Sequence, residues 1–173
     1  MLAADKKVFL DFTSGDSEKI KTALAHLEAL PLGHFEDHPL SRKLVLSGFD
    51  ALVALWNSDV APVGCRRWIA QLVADARIAA TGVKPIVQQA LGDRSCSYLP
   101  TLLYLIGSNP ESFEGIGESL LPLASHPDRE VRWRVAWAIS KMKQRDSHMM
   151  QAIKILARDP DSTTKVYVRE CGA

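Results

Sequence analysis

Leu123-Ala124-Ser125-His126-Pro127-Asp128 and Leu156-Ala157-Arg158-Asp159-Pro160-Asp161 lie over one another with their prolines 33 residues apart. The same step aligns Leu120 with Ile153, Arg132 with Lys165 and Val135 with Val168. Run backwards, it places Asp93 under His126, Leu102 under Val135 and Ile106 under Ile139. A period of this size with two helical segments per unit marks a stacked array of helix pairs. Three units are expected from Val83 to the end, most regular from Ser119 onward. Each proline blocks continuation of the helix before it. The Asp that follows caps the next helix, and the basic residue beyond can pair with an acid of the neighbouring turn.

This punctuation resembles the HEAT repeat, in which a first helix ends in an Asp-Pro-Asp type of turn and Val-Arg follows inside the second helix. His126-Pro127-Asp128-Arg129-Glu130-Val131-Arg132 is similar, with His in place of the first Asp. Asp159-Pro160-Asp161-Ser162-Thr163-Thr164-Lys165 keeps that Asp but carries Thr and Lys where Val and Arg are usual. The resemblance implies an all-α fold: a short α-solenoid of HEAT-like helical hairpins with additional N-terminal helices. Departures at the ladder positions favour a compact array over a long superhelix. We expect one all-helical domain over 1–173, with irregular helices in 1–82 and the repeats in 83–173.

Upstream of the repeats the pattern is helical but aperiodic. Val8-Phe9-Leu10-Asp11-Phe12 reads as a short strand or extended arm, although no partner strand is evident. Asp16 or Ser17 caps a helix with Ile20, Leu24, Leu27 and Leu30 at three- and four-residue spacing, stopped by Pro31. Ser41 begins a second, with Leu44, Val45, Phe49, Leu52, Val53 and Trp56 inward; Cys65–Ala80, closed by Gly82, is a third. Pro85 opens a short helix to Leu91, Gly92-Asp93 breaks it, and Ser95 or Ser97 starts another through Ile106. Asn109 to Glu118 reads as a loop.

Composition excludes several classes. Hydrophobic residues make up 47% and charged residues 24%, ordinary globular values, and the net charge of +1 gives no global attraction to nucleic acid or membrane. The charge is nonetheless uneven: His126 to Glu170 holds ten Lys/Arg against six acids, leaving the remainder of the chain at −3. Three scattered cysteines, Cys65, Cys96 and Cys171, offer neither a disulfide framework nor a zinc site. The N-terminal stretch has no signal-peptide pattern and no apolar run reaches membrane-spanning length, so a cytoplasmic protein is expected.

On a helical wheel, Val131, Val135, Ala138, Ile139 and Met142 share the core face. Trp133, Trp137, Ser140 and Gln144 lie roughly opposite, flanked by Arg134, Lys141 and Arg145. Two readings of the tryptophans are open: packing against the next repeat, or an exposed patch of the residue types that anchor protein interfaces. The second gives a partner-binding set of Trp133, Arg134, Trp137, Lys141, Gln144 and Arg145. His34 and His38, four apart with Glu36 and Asp37 between, sit between Gly33 and Pro39 in a loop and lack the shared face of helical zinc motifs. No nucleophile elbow, Walker loop or dinucleotide fingerprint occurs, so no catalytic residue, metal or cofactor is expected.

These observations point to a non-catalytic protein-binding repeat module. One form is a bacterial immunity or antitoxin protein that occludes a basic toxin or nuclease, which the acidic remainder of the chain would attract. The alternative is nucleic-acid binding or base repair, because Val131-Arg132-Trp133-Arg134-Val135-Ala136 is similar to helices of the HEAT-like alkylpurine DNA glycosylases. The last helix lacks the polar capping repeat that solenoids use.

Overall fold

A computed structural model of the chain describes residues 2–30, 41–58, 61, 62, 64–78 and 81–172. The chain parts into two compact units, Met1–Ile78 and Ala79–Ala173; the sequence places the change of character at 82/83. Every regular element among the described residues is helical.

The first unit holds α1 (Leu2–Phe12), α2 (Ser17–Glu28), α3 (Ser41–Ser47), α4 (Phe49–Trp56) and α5 (Cys65–Ala76). Helix α1 packs on α2, and α5 gathers α2, α3 and α4. The expected strand at Val8–Phe12 is instead the end of α1. Helical spacing puts both Phe9 and Phe12 into the core, and the helix satisfies internally the backbone groups that an unpaired strand would leave open. Helix α2 starts where expected: the Asp16 carboxylate accepts from the backbone N–H groups of Glu18 and Lys19 at 3.0 and 3.1 Å.

The single helix expected from Ser41 to Trp56 is broken at Gly48. A side chain there would stand 2.8 Å from the Phe9 ring, so the chain steps from α3 to α4 at the residue that lets α1 approach. Helix α5 ends four residues before the expected Ala80, because Arg77 adopts a left-handed conformation with φ 47°. The His34–His38 loop lies outside the described residues.

The second unit is three hairpins. Helix α6 (Lys84–Leu91) pairs with α7 (Leu99–Ser108). Helix α8 (Gly117–Leu120), continued by a 3-10 turn over Leu121–Ser125, pairs with α9 (Arg129–Lys141). Helix α10 (Ser147–Leu156) pairs with α11 (Ser162–Glu170). The second helices α7, α9 and α11 lie side by side in one layer; α6, α8 with its 3-10 turn, and α10 make the other. Two boundaries differ from expectation. Helix α7 begins at Leu99, because Asp93 accepts from both the backbone N–H and the hydroxyl of Ser95, holding that stretch as a turn. Inside the expected loop, Pro110–Phe113 forms a 3-10 turn and α8 starts at Gly117.

The 33-residue step recurs atom by atom in the turns. Asp93 Oδ1 accepts from the N–H of Ser95 at 2.9 Å, His126 Nδ1 from that of Asp128 at 3.1 Å, and Asp159 Oδ1 from that of Asp161 at 2.8 Å. His126 thus performs the task of the Asp it replaces. With Nδ1 accepting, its Nε2 carries the proton and donates 3.2 Å to the Arg94 carbonyl one turn back. Between the second and third turns, Arg132 donates to Asp159 and, at 2.9 Å each, to the carbonyls of His126 and Pro127. Arg129 reaches Asp161 at 2.9 Å. These rungs tie each hairpin to the next by side chains the repeat pattern supplies.

Candidate functional site

The expected core face of α9 is in place: Val131, Val135, Ala138 and Ile139 are buried, and Met142, just past the helix end, is buried with them. Trp133 and Trp137, on the far side, are half-buried. Each leans on a different neighbour. The Trp137 ring stacks on Tyr104 of α7, with centroids 5.7 Å apart and planes 15° from parallel. It also lies directly over Gly107, where a Cβ would stand 2.3 Å from a ring carbon, so glycine is what brings α7 under the indole. Trp133 stacks on Tyr167 of α11 at 6.1 Å and 24°, and the Arg134 guanidinium carbon sits 4.6 Å from its ring centroid. One side of each indole packs against an adjoining repeat, and the remainder meets solvent.

The polar members of the expected set divide. Arg134 is half-buried and pairs with Glu130 at 2.9 Å on its own helix, which fixes the guanidinium beside the Trp133 face. Lys141 is exposed and approaches Glu170 at 3.7 Å; Gln144 is exposed. Arg145 turns inward and donates to the carbonyls of Ile139, Ser140 and Cys171 at 3.3–3.5 Å, closing the end of α9. The sequence reading passed over Tyr104 and Tyr167. Their signal was present: Tyr104 precedes Trp137 by one repeat, and Tyr167 follows Arg134 by one repeat. The face that results runs across α7, α9 and α11, with Tyr104, Trp137, Trp133 and Tyr167 as two stacked pairs.

The electrostatics of this unit are locally balanced. Asp161 is held below the ordinary carboxylate value first by the backbone N–H of Thr164, then by its hydroxyl and by Arg129 and Arg132. Glu111 is lowered and Lys143 raised by the hydrogen bond and charge each supplies to the other. Of the cations in the basic segment, Arg129, Arg132, Arg134, Lys141 and Lys143 all sit on carboxylates.

Elsewhere the described residues hold no cluster of three or more His, Cys, Asp or Glu placed to bind a metal. A cavity of about 330 Å³ in the first unit is walled by Phe12, Ile20, Ala51, Ala54 and Leu55 with hydroxyls at its rim, and no titratable side chain among the described residues lines it. The three cysteines are free thiols, and burial pushes Cys65 up to about 11, so it stays protonated and unreactive at neutral pH.

Among solved structures, a computationally designed armadillo repeat protein for modular peptide recognition matches with a TM-score of 0.69, over 95% of this chain and 79% of that one, at 16% identity. The chain has an all-helical repeat fold. No family model matches it, and neither does any curated protein. No helix among the described residues is long and apolar enough to cross a membrane. The repeat fold accounts for the two layers of the second unit and for the half-exposed face of α7, α9 and α11 on which the aromatic pairs lie.

Proposed function

We propose that this helical repeat protein is a non-catalytic module that binds another protein along the exposed face of α7, α9 and α11. One observation carries the reading: two half-exposed aromatic pairs bridge three adjacent helices, held by a glycine on one side and an arginine on the other. Rigid, partly exposed Trp and Tyr lose little freedom when a partner covers them, and Trp, Tyr and Arg are the side chains that most often dominate interface energies. Trp133, Arg134, Trp137, Lys141 and Gln144 of the expected set stay in the binding role, Tyr104 and Tyr167 join them, and Arg145 positions the end of α9. A repeat neighbour built for peptide recognition supports the choice of a polypeptide ligand.

The specific form we favour is a cytoplasmic immunity or antitoxin protein that occludes a basic toxin or nuclease. The charge of −3 outside the basic segment supports that partner. The nucleic-acid alternative is less well supported, because five of the ten cations in the basic segment, Arg132 and Arg134 beside Trp133 among them, are paired with carboxylates.

The test is retention of a partner from the native cytosol by immobilised protein, compared with Trp133→Ala and Arg134→Glu. Loss of the partner with an unchanged circular dichroism spectrum is expected. Undiminished retention by both variants, or a bound species that is nucleic acid released steeply by salt, overturns the proposal.

A further inference from the structure

The first unit holds a cavity that close packing would have filled. Protein interiors keep few voids larger than a water molecule. This one encloses about 330 Å³, with every wall drawn from the stretch between Phe12 and Pro62, and it opens to solvent beside the exposed Ser14, Gly15 and Ala54. Helix α4 shows how it arises. Seven of its eight residues are apolar, the composition of a helix covered on every side. Only Leu52 and Trp56 are buried. Ala51, Ala54 and Leu55 share another face at three- and four-residue spacing and line the cavity instead. Leucines at 51 and 54 would close much of the gap; alanines keep it open.

The lining selects the occupant. No titratable side chain is part of it, so an ionised ligand would give up its water without gaining a partner. Anions meet a further obstacle at the mouth. Asp16 stands between the lining residues Gly15 and Ser17, and the backbone N–H groups of Lys19 and Glu18 hold its carboxyl below the ordinary carboxylate range. Polar contacts come from hydroxyls alone. Ser14 is committed within its turn, donating to the Asp11 carbonyl at 2.8 Å and accepting from the Asp16 N–H at 3.2 Å. Thr13 donates to the Phe9 carbonyl at 3.0 Å and keeps its capacity to accept. The Ser17 hydroxyl makes no hydrogen bond among the described residues, so its proton is available to a ligand. An apolar cavity of about 150 Å³ holds one benzene ring, so one of about 330 Å³ takes roughly twice as many heavy atoms.

We infer that the first unit binds a small neutral alcohol with an apolar body of about ten carbons. The body lies against Phe12, Ile20 and the alanine face of α4, and the hydroxyl exchanges hydrogen bonds with Ser17 and Thr13 at the rim. The site lies within the first unit and does not depend on the aromatic face of the second.

Octan-1-ol is the probe, titrated into the isotope-labelled intact protein and followed by heteronuclear NMR. Octanoate and octylammonium, with the same chain length, are the charged controls. Saturable shifts should centre on the amides of Thr13, Ser14, Ser17, Ala51 and Ala54. The alcohol should bind at least about tenfold more tightly than either ion. Ala54→Leu and Ala51→Leu narrow the cavity with a good helix former, and each should weaken the alcohol at least about fivefold with an unchanged circular dichroism spectrum. Ser17→Ala should weaken it about fivefold by removing one hydrogen bond. No saturable shift up to the solubility limit, or either ion binding as tightly as the alcohol, overturns the inference. So does an affinity indifferent to both leucine variants, or one unchanged by Ser17→Ala.

Discussion

The two units build helices from different instructions. In the second, α9, α10 and α11 each begin on an aspartate whose carboxylate accepts a backbone N–H: Asp128, Asp146 and Asp161. Side-chain rungs join successive turns. In the first unit only α2 has such a cap among the described residues, while α4 and α5 begin after Gly48 and Gly64 and α5 ends on a left-handed arginine. A side-chain cap is written in the residue itself. A break set by glycine depends on what comes close to it, and that is known only once the chain is folded.

The contrast is sharpest at two glycines that each admit an aromatic ring. Gly107→Ala should be the most damaging substitution, at about 3 kcal/mol, because the added methyl would overlap three carbons of the Trp137 ring at 2.3–2.7 Å and push the indole off its stack on Tyr104. Urea unfolding followed by tryptophan fluorescence would measure it; an effect below that of Gly48→Ala would break the comparison. Removing a rung comes next. Arg132→Met leaves Asp159, whose side chain is 5% exposed, with only the Asp161 N–H for a partner, and should cost about 2 kcal/mol, below the figure for a fully buried pair because Arg132 is itself 17% exposed. Gly48→Ala should cost about 1 kcal/mol, since the added methyl would meet only two atoms at the tip of the Phe9 ring, at 2.8 and 2.9 Å, a milder overlap than at Gly107.

The smallest effect should be at a cap. Asp161 has a depressed folded-state pKa, so its charge adds stability that is present above the unfolded value of 3.8 and lost as pH falls through the folded value. Asp161→Asn should therefore flatten the melting temperature of the second unit below about pH 4 while leaving its slope near neutrality unchanged. Equal acid slopes for parent and variant would remove Asp161 from the acid response.

These differences also explain what could be read in advance. The 33-residue step, the Asp caps and the core face of α9 were legible because each is local or strictly periodic. The placement of Trp133 and Trp137 off that core was legible too, but not what they touch. Tyr104 and Tyr167 come from other hairpins, and pairing them with the indoles requires knowing that α7 and α11 flank α9. Arg145 looked like a surface cation beside the tryptophans; the helix ends just before it, at Lys141, and the turn that follows carries its guanidinium onto carbonyls. Val8–Phe12 misled because a run of four apolar residues in five fits a strand and one turn of helix equally well. Only the burial of both phenylalanines distinguishes them.

The central claim is that a protein lies along the α7, α9 and α11 face. It is tested most directly by placing a photo-crosslinking amino acid at Lys141, exposed beside Trp137, and at Gln151, exposed on α10 in the other layer, and irradiating living cells of the native host. A discrete, protease-sensitive adduct from position 141 and none from 151 is the predicted result. Equal adducts from both positions, or an adduct from 141 that resists protease and yields to nuclease, would contradict it.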